Sequence, residues 1–73
     1  PVEQRLAQAL VERGPVVTMT QQQLADAVGT AREVVSRQLG AWADAGLVET
    51  GRGALRVLRP DRVAAIAEPL GGP

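Results

Sequence analysis

TQQQLADAVGTAREVVSRQLGAWADAGLV, residues 20–48, is the stretch whose reading decides the fold of this chain. Thr20 is placed to cap a helix, and Gln23 three residues on completes a capping-box pattern. Leu24, Ala25 and Val28 fall on one face of that helix, and small Ala25 allows a neighbouring helix to approach closely. Gly29 follows, the residue type that most easily takes the left-handed backbone of a tight turn. Thr30 reads as the cap of the next helix, with Glu33 again three residues later. Val35, Leu39 and Trp42 recur at spacings of four and three, a core stripe. Gly46 stops the helix at about Ala45, so it is expected over residues 30–45. At about 100° per residue, Arg32, Glu33, Ser36 and Arg37 share the face turned away from that stripe.

The flanks fit around this pair. Val2, Leu6, Ala9 and Leu10 give an amphipathic helix that Gly14-Pro15 stops. Val16-Val17-Thr18 is β-branched and short, a strand or extended link. Residues 47–50 and 54–58 read as two strands, with Gly51-Arg52-Gly53 as the hairpin turn. Pro60 suits the first turn of a last helix and Asp61 its positive end, with Val63, Ala64, Ile66 and Ala67 following. Pro69 and Gly71-Gly72-Pro73 end it in a frayed tail. The order helix, strand, helix, turn, helix, hairpin, helix is that of a mainly α winged helix-turn-helix. It is expected to fill residues 1–73 as one domain, with the helix-turn-helix at about 20–45 and the wing at about 47–58.

Composition removes rival chemistry. The chain has 73 residues, no Cys and no His. Disulfides, thiolate chemistry and the usual zinc ligands are therefore excluded. No nucleophile–base pair or phosphate-cradling glycine loop is present, so an enzyme is not expected. No apolar run spans a membrane and no signal-peptide pattern opens the chain. It begins with Pro, and the expectation is a domain excised from a longer protein. Eight basic residues balance eight acidic ones, which argues against nucleic-acid binding. Their distribution softens this, because all the basic residues are Arg and six lie between Arg32 and Arg62. A patch can be basic while the domain is neutral.

The outward set has the chemistry of base reading. An Arg fork matches guanine O6 and N7, and a carboxylate accepts from cytosine N4. A helix that buries Val35, Leu39 and Trp42 can dock on its own domain while Arg32, Glu33 and Arg37 enter a groove.

Thr20, Leu24-Ala25, Val28-Gly29-Thr30, Arg32-Glu33, Val35-Ser36-Arg37, Leu39 and Gly46-Leu47-Val48 together resemble the DNA-binding domain of the cyclic-AMP receptor protein/FNR family of bacterial transcription regulators. The likeness runs without a gap across the two helices and covers about residues 16–58. It implies sequence-specific binding of double-stranded DNA, with the helix at 30–45 in the major groove and Arg32, Glu33 and Arg37 reading bases. Ser36 assists, since the FNR branch has Glu and then Ser-Arg at this spacing. Arg32 points to the receptor-protein branch and to a palindrome of TGTGA-like half-sites. Thr20, Gln21, Gln22, Thr30 and the wing residue Arg52 are the implied phosphate contacts. Ala31, Val34 and Gln21 depart from the receptor protein, which has polar residues at the first two positions and Arg at the third. Ala31 and Val34 each remove a phosphate contact, and Gln21 replaces a charged contact with an uncharged one. The resemblance further implies a homodimer in the full-length protein, and a location in the cytoplasm at the nucleoid. A cyclic nucleotide or other effector would bind an N-terminal domain absent from this chain, and no cofactor is expected in this domain. The Arg13-Gly14-Pro15 loop corresponds to one that touches RNA polymerase in some activators.

Each residue has a plainer reading. Glu33 can serve only as capping partner of Thr30, or pair with Arg37 one turn on. Thr20 and Thr30 are caps first. Arg52 can be a solvated turn residue, and Arg56, Arg59 and Arg62 read as surface charges. Trp42, the single aromatic residue, reads as core. The alternative function is a winged helix whose third helix meets a protein without specific DNA binding, as zero net charge and apolar Val34 would allow.

Overall fold

The computed structural model describes residues 1–69. The chain forms α1 (Val2–Arg13), β1 (Val16–Val17), α2 (Gln21–Val28), α3 (Arg32–Asp44), β2 (Val48–Gly51), β3 (Ala54–Val57) and α4 (Pro60–Ala67). This is the winged helix-turn-helix expected from the sequence. The Gly71-Gly72-Pro73 segment lies outside the described residues.

The cap of α2 forms as its sequence predicts. The Thr20 hydroxyl accepts from the Gln23 N–H at 3.0 Å, and Gln23 Oε1 accepts from the Thr20 N–H at 2.8 Å. Two N–H groups that the helix cannot use internally are thereby satisfied. At the other end Gly29 takes φ 73°, left-handed. A Cβ there would meet no atom, so the backbone alone imposes the preference. Gly29→Ala is expected to cost about 1–2 kcal/mol, read as a lowered urea midpoint with an unchanged slope. An unchanged midpoint would contradict it.

The start of α3 differs from expectation. Thr30 is not its cap and forms no capping box with Glu33. The cap residue is Ala31, whose side chain makes no capping bond, and the helix runs over Arg32–Asp44 instead of residues 30–45. The reason lies in α2. The Thr30 N–H donates to Ala25 O at 2.9 Å, the long closing bond that follows a left-handed glycine. That bond takes the Thr30 N–H, the group that a capping box with Glu33 would need. Ala31 supplies the extended residue, and its carbonyl accepts from Val34 and Val35.

The same device ends α3. Gly46 has φ 76°, and the Leu47 N–H donates to Trp42 O at 2.9 Å. Leu47 is spent on that closure, so β2 starts at Val48, one residue later than expected. The wing is also more than a hairpin. β3 is the central strand of a three-stranded antiparallel sheet, in the order β1-β3-β2. β1 pairs Val16 with Arg56 and Val17 with Leu55, which turns Val17 into the core. Gly51 pairs with Ala54, so the loop is only Arg52-Gly53. β3 ends at Val57, one residue short of expectation: the Leu58 N–H still reaches Leu47 O in the same register, but the Leu47 N–H that would complete the pair is taken by Trp42 O.

The core is entirely apolar among the described residues. Leu6 and Leu10 of α1, Leu24 of α2 and Leu39 of α3 supply its largest fully buried side chains. Val17, Leu55 and Val57 close it from the sheet, and Val63 from α4. α1 also holds the end of α4, where Gln4 and Gln8 donate to the free carbonyl of Ala67 at 3.4 and 3.0 Å. At the start of α4, desolvation pushes the Asp61 carboxyl up. The Arg59 hydrogen bond, the Arg62 N–H and the Arg59 charge outweigh it and hold the group below the ordinary carboxylate value. Its small support for the helix is therefore present at neutral pH and lost as pH falls through that lowered value.

Candidate nucleic-acid interface

α3 presents two faces with opposite duties. Val35, Leu39 and Trp42 are buried in the domain, at 0%, 1% and 5% exposure. Arg32, Glu33 and Arg37 are exposed; Glu33 and Arg37 lie across the helix from that stripe, while Arg32 stands in its first turn, beside Leu39 in the same cleft. The plainer readings of Glu33 find no contact to support them, since it neither caps α3 nor forms an ion pair with Arg37 among the described residues. The two ion pairs found are local and exposed, Arg13 with Glu12 and Arg59 with Asp61. These three charged groups of α3 are thus left to solvent.

Arg32 is the first residue of α3 and stands at a junction. It lines a cleft of about 320 Å³ together with Thr20, Gln21 and Gln22 of the α2 start and with Thr50 to Ala54 of the wing. It also borders a shallow depression along α3 with Ala31, Glu33 and Ser36. The cleft brings together four of the five expected phosphate contacts, Thr20, Gln21, Gln22 and Arg52, from two separate parts of the chain. Thr30 lies apart from them, half-buried in the turn between the helices.

Several of these groups already have protein partners. Thr20 caps α2. Gln22 Nε2 donates to Asp26 Oδ1 at 3.0 Å, one turn along the same helix. The Ser36 hydroxyl donates to Gln21 Oε1, joining α3 to α2 across the helix-turn-helix. Arg52 is exposed at the wing tip and makes no ion pair among the described residues.

The sequence reading passed over Thr50, which also lines the cleft. Strand alternation held the clue. Val48 and Thr50 are two apart in β2 and share a face. Val48 is buried, and Thr50 carries that face past the edge of the core into the cleft.

A family model for the Crp-like helix-turn-helix domain matches residues 4–66. The chain belongs to that family. It is thereby a DNA-binding domain of the transcription-regulator type. Among solved structures it is similar to the catabolite activator protein of Thermus thermophilus, with 35% identity and a TM-score of 0.84 over 90% of this chain and 33% of that one. A second Thermus thermophilus protein, a transcriptional regulator of the CRP/FNR family, is 30% identical, with a TM-score of 0.88 over 97% of this chain and 42% of the other. A Crp/Fnr-family regulator from Eubacterium rectale is 26% identical, with a TM-score of 0.86 over 92% and 33% of the two chains. The chain therefore spans well under half the length of these solved relatives. A comparison with curated proteins found no match. No helix among the described residues is long and apolar enough to cross a membrane.

Proposed function

We propose that this Crp-like domain recognises a specific sequence in double-stranded DNA by laying α3 in the major groove. The carrying observation is the division of α3. One face is locked into the core, and Arg32, Glu33 and Arg37 stand exposed off it, without ion-pair partners among the described residues. A helix seated this firmly holds the Arg forks and the carboxylate at fixed places, as reading of base edges demands. The cleft at the α2 start and Arg52 at the wing tip would flank the groove and meet phosphates.

The domain would be one module of a longer regulator. By kinship, a dimerising region that senses a cyclic nucleotide or other effector would pair two copies over a palindrome. The Arg13-Gly14-Pro15 loop would be open to RNA polymerase. Alone, the domain should bind weakly, since it lacks the avidity of a second half-site.

Selection from a random DNA pool tests this, using the domain fused to a dimerising partner at two salt concentrations. Recovery of a palindrome with TGTGA-like halves is the expected result. A palindrome of other halves would keep the regulator and discard that half-site. No enrichment at either salt would sink the DNA reading in favour of a protein partner for α3.

Arg52 should behave differently from α3. Arg52→Ala is expected to weaken binding to all duplexes by a similar factor and to lower the slope of log affinity against log salt by about 1. Anisotropy titrations over a salt series give the slope. A change of preference at one base pair would instead make Arg52 a base reader.

A further inference from the structure

Ser36 differs from the other polar residues on the outer side of α3. Its hydroxyl is already engaged, whereas Arg32, Glu33 and Arg37 make no side-chain hydrogen bond among the described residues. Ser36 is half-buried between the two helices and donates to Gln21 Oε1. Gln21 is the first residue of α2 and is itself half-buried. Its Nε2 has no protein acceptor, yet no side-chain nitrogen or oxygen is both buried and unpartnered among the described residues. The Nε2 donors therefore reach solvent, on a side chain that lines the cleft beside Thr20, Gln22 and Arg32.

An amide is planar, with its acceptor oxygen and its donor nitrogen on one carbon and pointing in different directions. Once the oxygen is tied to α3, the direction of the nitrogen is set as well. Untied, a glutamine side chain samples several staggered arrangements and either amide orientation. A bond from α3 removes this freedom before any partner arrives, which lowers the cost of forming the next hydrogen bond.

We propose that Ser36 is a positioning residue that acts through Gln21: it holds the amide so that Nε2 donates to a phosphate of the DNA backbone, and it does not itself read a base. This rests on the DNA-binding reading above. It also gives the pair a second consequence. The contact that aims Gln21 at the backbone is made by α3, so seating of the phosphate is tied to the placement of the base-reading helix.

The test uses the 73-residue chain fused to the same dimerising partner, a selected duplex and a duplex altered at single base pairs, with affinities from fluorescence anisotropy. Ser36→Ala is expected to weaken binding to both by a common factor of about three- to tenfold. Ser36→Thr keeps the hydroxyl and should restore binding. Gln21→Glu keeps an oxygen for Ser36 but puts a negative charge where the donor was. It should fold as the parent does and lose at least as much affinity, most at low salt. The ratio between duplexes should stay constant in all three variants. Parent-like binding by Gln21→Glu would overturn the proposal, as would a change of base preference in Ser36→Ala. If the parent chain itself binds neither duplex, the DNA reading falls first and this inference falls with it. Circular dichroism on each variant separates lost binding from lost folding.

Discussion

Leu39→Ala is expected to remove about 2–5 kcal/mol of folding stability. Leu39 is 1% exposed and belongs to the stripe by which α3 joins the core. It also forms part of the cleft between α2, α3 and the wing, so the space left by its truncation opens beneath the candidate interface. The loss is large for so small a domain. At roughly 0.05–0.15 kcal/mol per residue, 73 residues provide about 4–11 kcal/mol in all. Urea titration followed by far-ultraviolet circular dichroism would show the midpoint falling. Trp42, buried three residues further along α3, gives a second and local probe by its fluorescence. The control is Val11→Ala, a residue 47% exposed on α1, which should change stability by no more than about 0.5 kcal/mol. A Leu39→Ala cost below about 1 kcal/mol would mean that α3 is not anchored as described.

Much of this fold was legible in the sequence because its signals are local. Thr20 with Gln23 and the left-handed glycines at 29 and 46 act through bonds to near neighbours, and each element they bound was placed within two residues. The failures came where one residue had two competing duties. Thr30 has the chemistry of a cap, and the closing bond of α2 claims its backbone first. β1 could be foreseen as extended, but its pairing with β3 joins segments about forty residues apart, which no local pattern encodes. The candidate site divides in the same way. Helical periodicity alone put Arg32, Glu33 and Arg37 on one face. It could not show that the Ser36 hydroxyl is taken by Gln21, nor that Thr50 joins the cleft, since both depend on how separate elements pack.

Arg37→Ala is expected to leave folding intact and to cost about 1–3 kcal/mol of binding, about five- to 150-fold, on the preferred duplex. Both parts follow from where the residue stands. Arg37 is exposed, forms no ion pair among the described residues, and makes no contact that the core needs. Its removal should therefore shift the unfolding midpoint very little. One helical turn before it stands Glu33, also exposed and without an ion-pair partner among the described residues. Had the two served each other, losing Arg37 would cost only a few tenths of a kcal/mol, and that in stability. A fork that instead meets guanine O6 and N7 gives up two hydrogen bonds at one base pair. The loss should then be confined to duplexes carrying that guanine. On a duplex where it is replaced, parent and variant should bind alike, because the parent has already lost the contact. Affinities for the two proteins on the two duplexes form a double-mutant cycle, and a coupling of about 1 kcal/mol or more identifies the pair. Equal losses on both duplexes would move Arg37 to the phosphate backbone. No loss on either would remove it from the interface and leave the division of α3 without its proposed meaning.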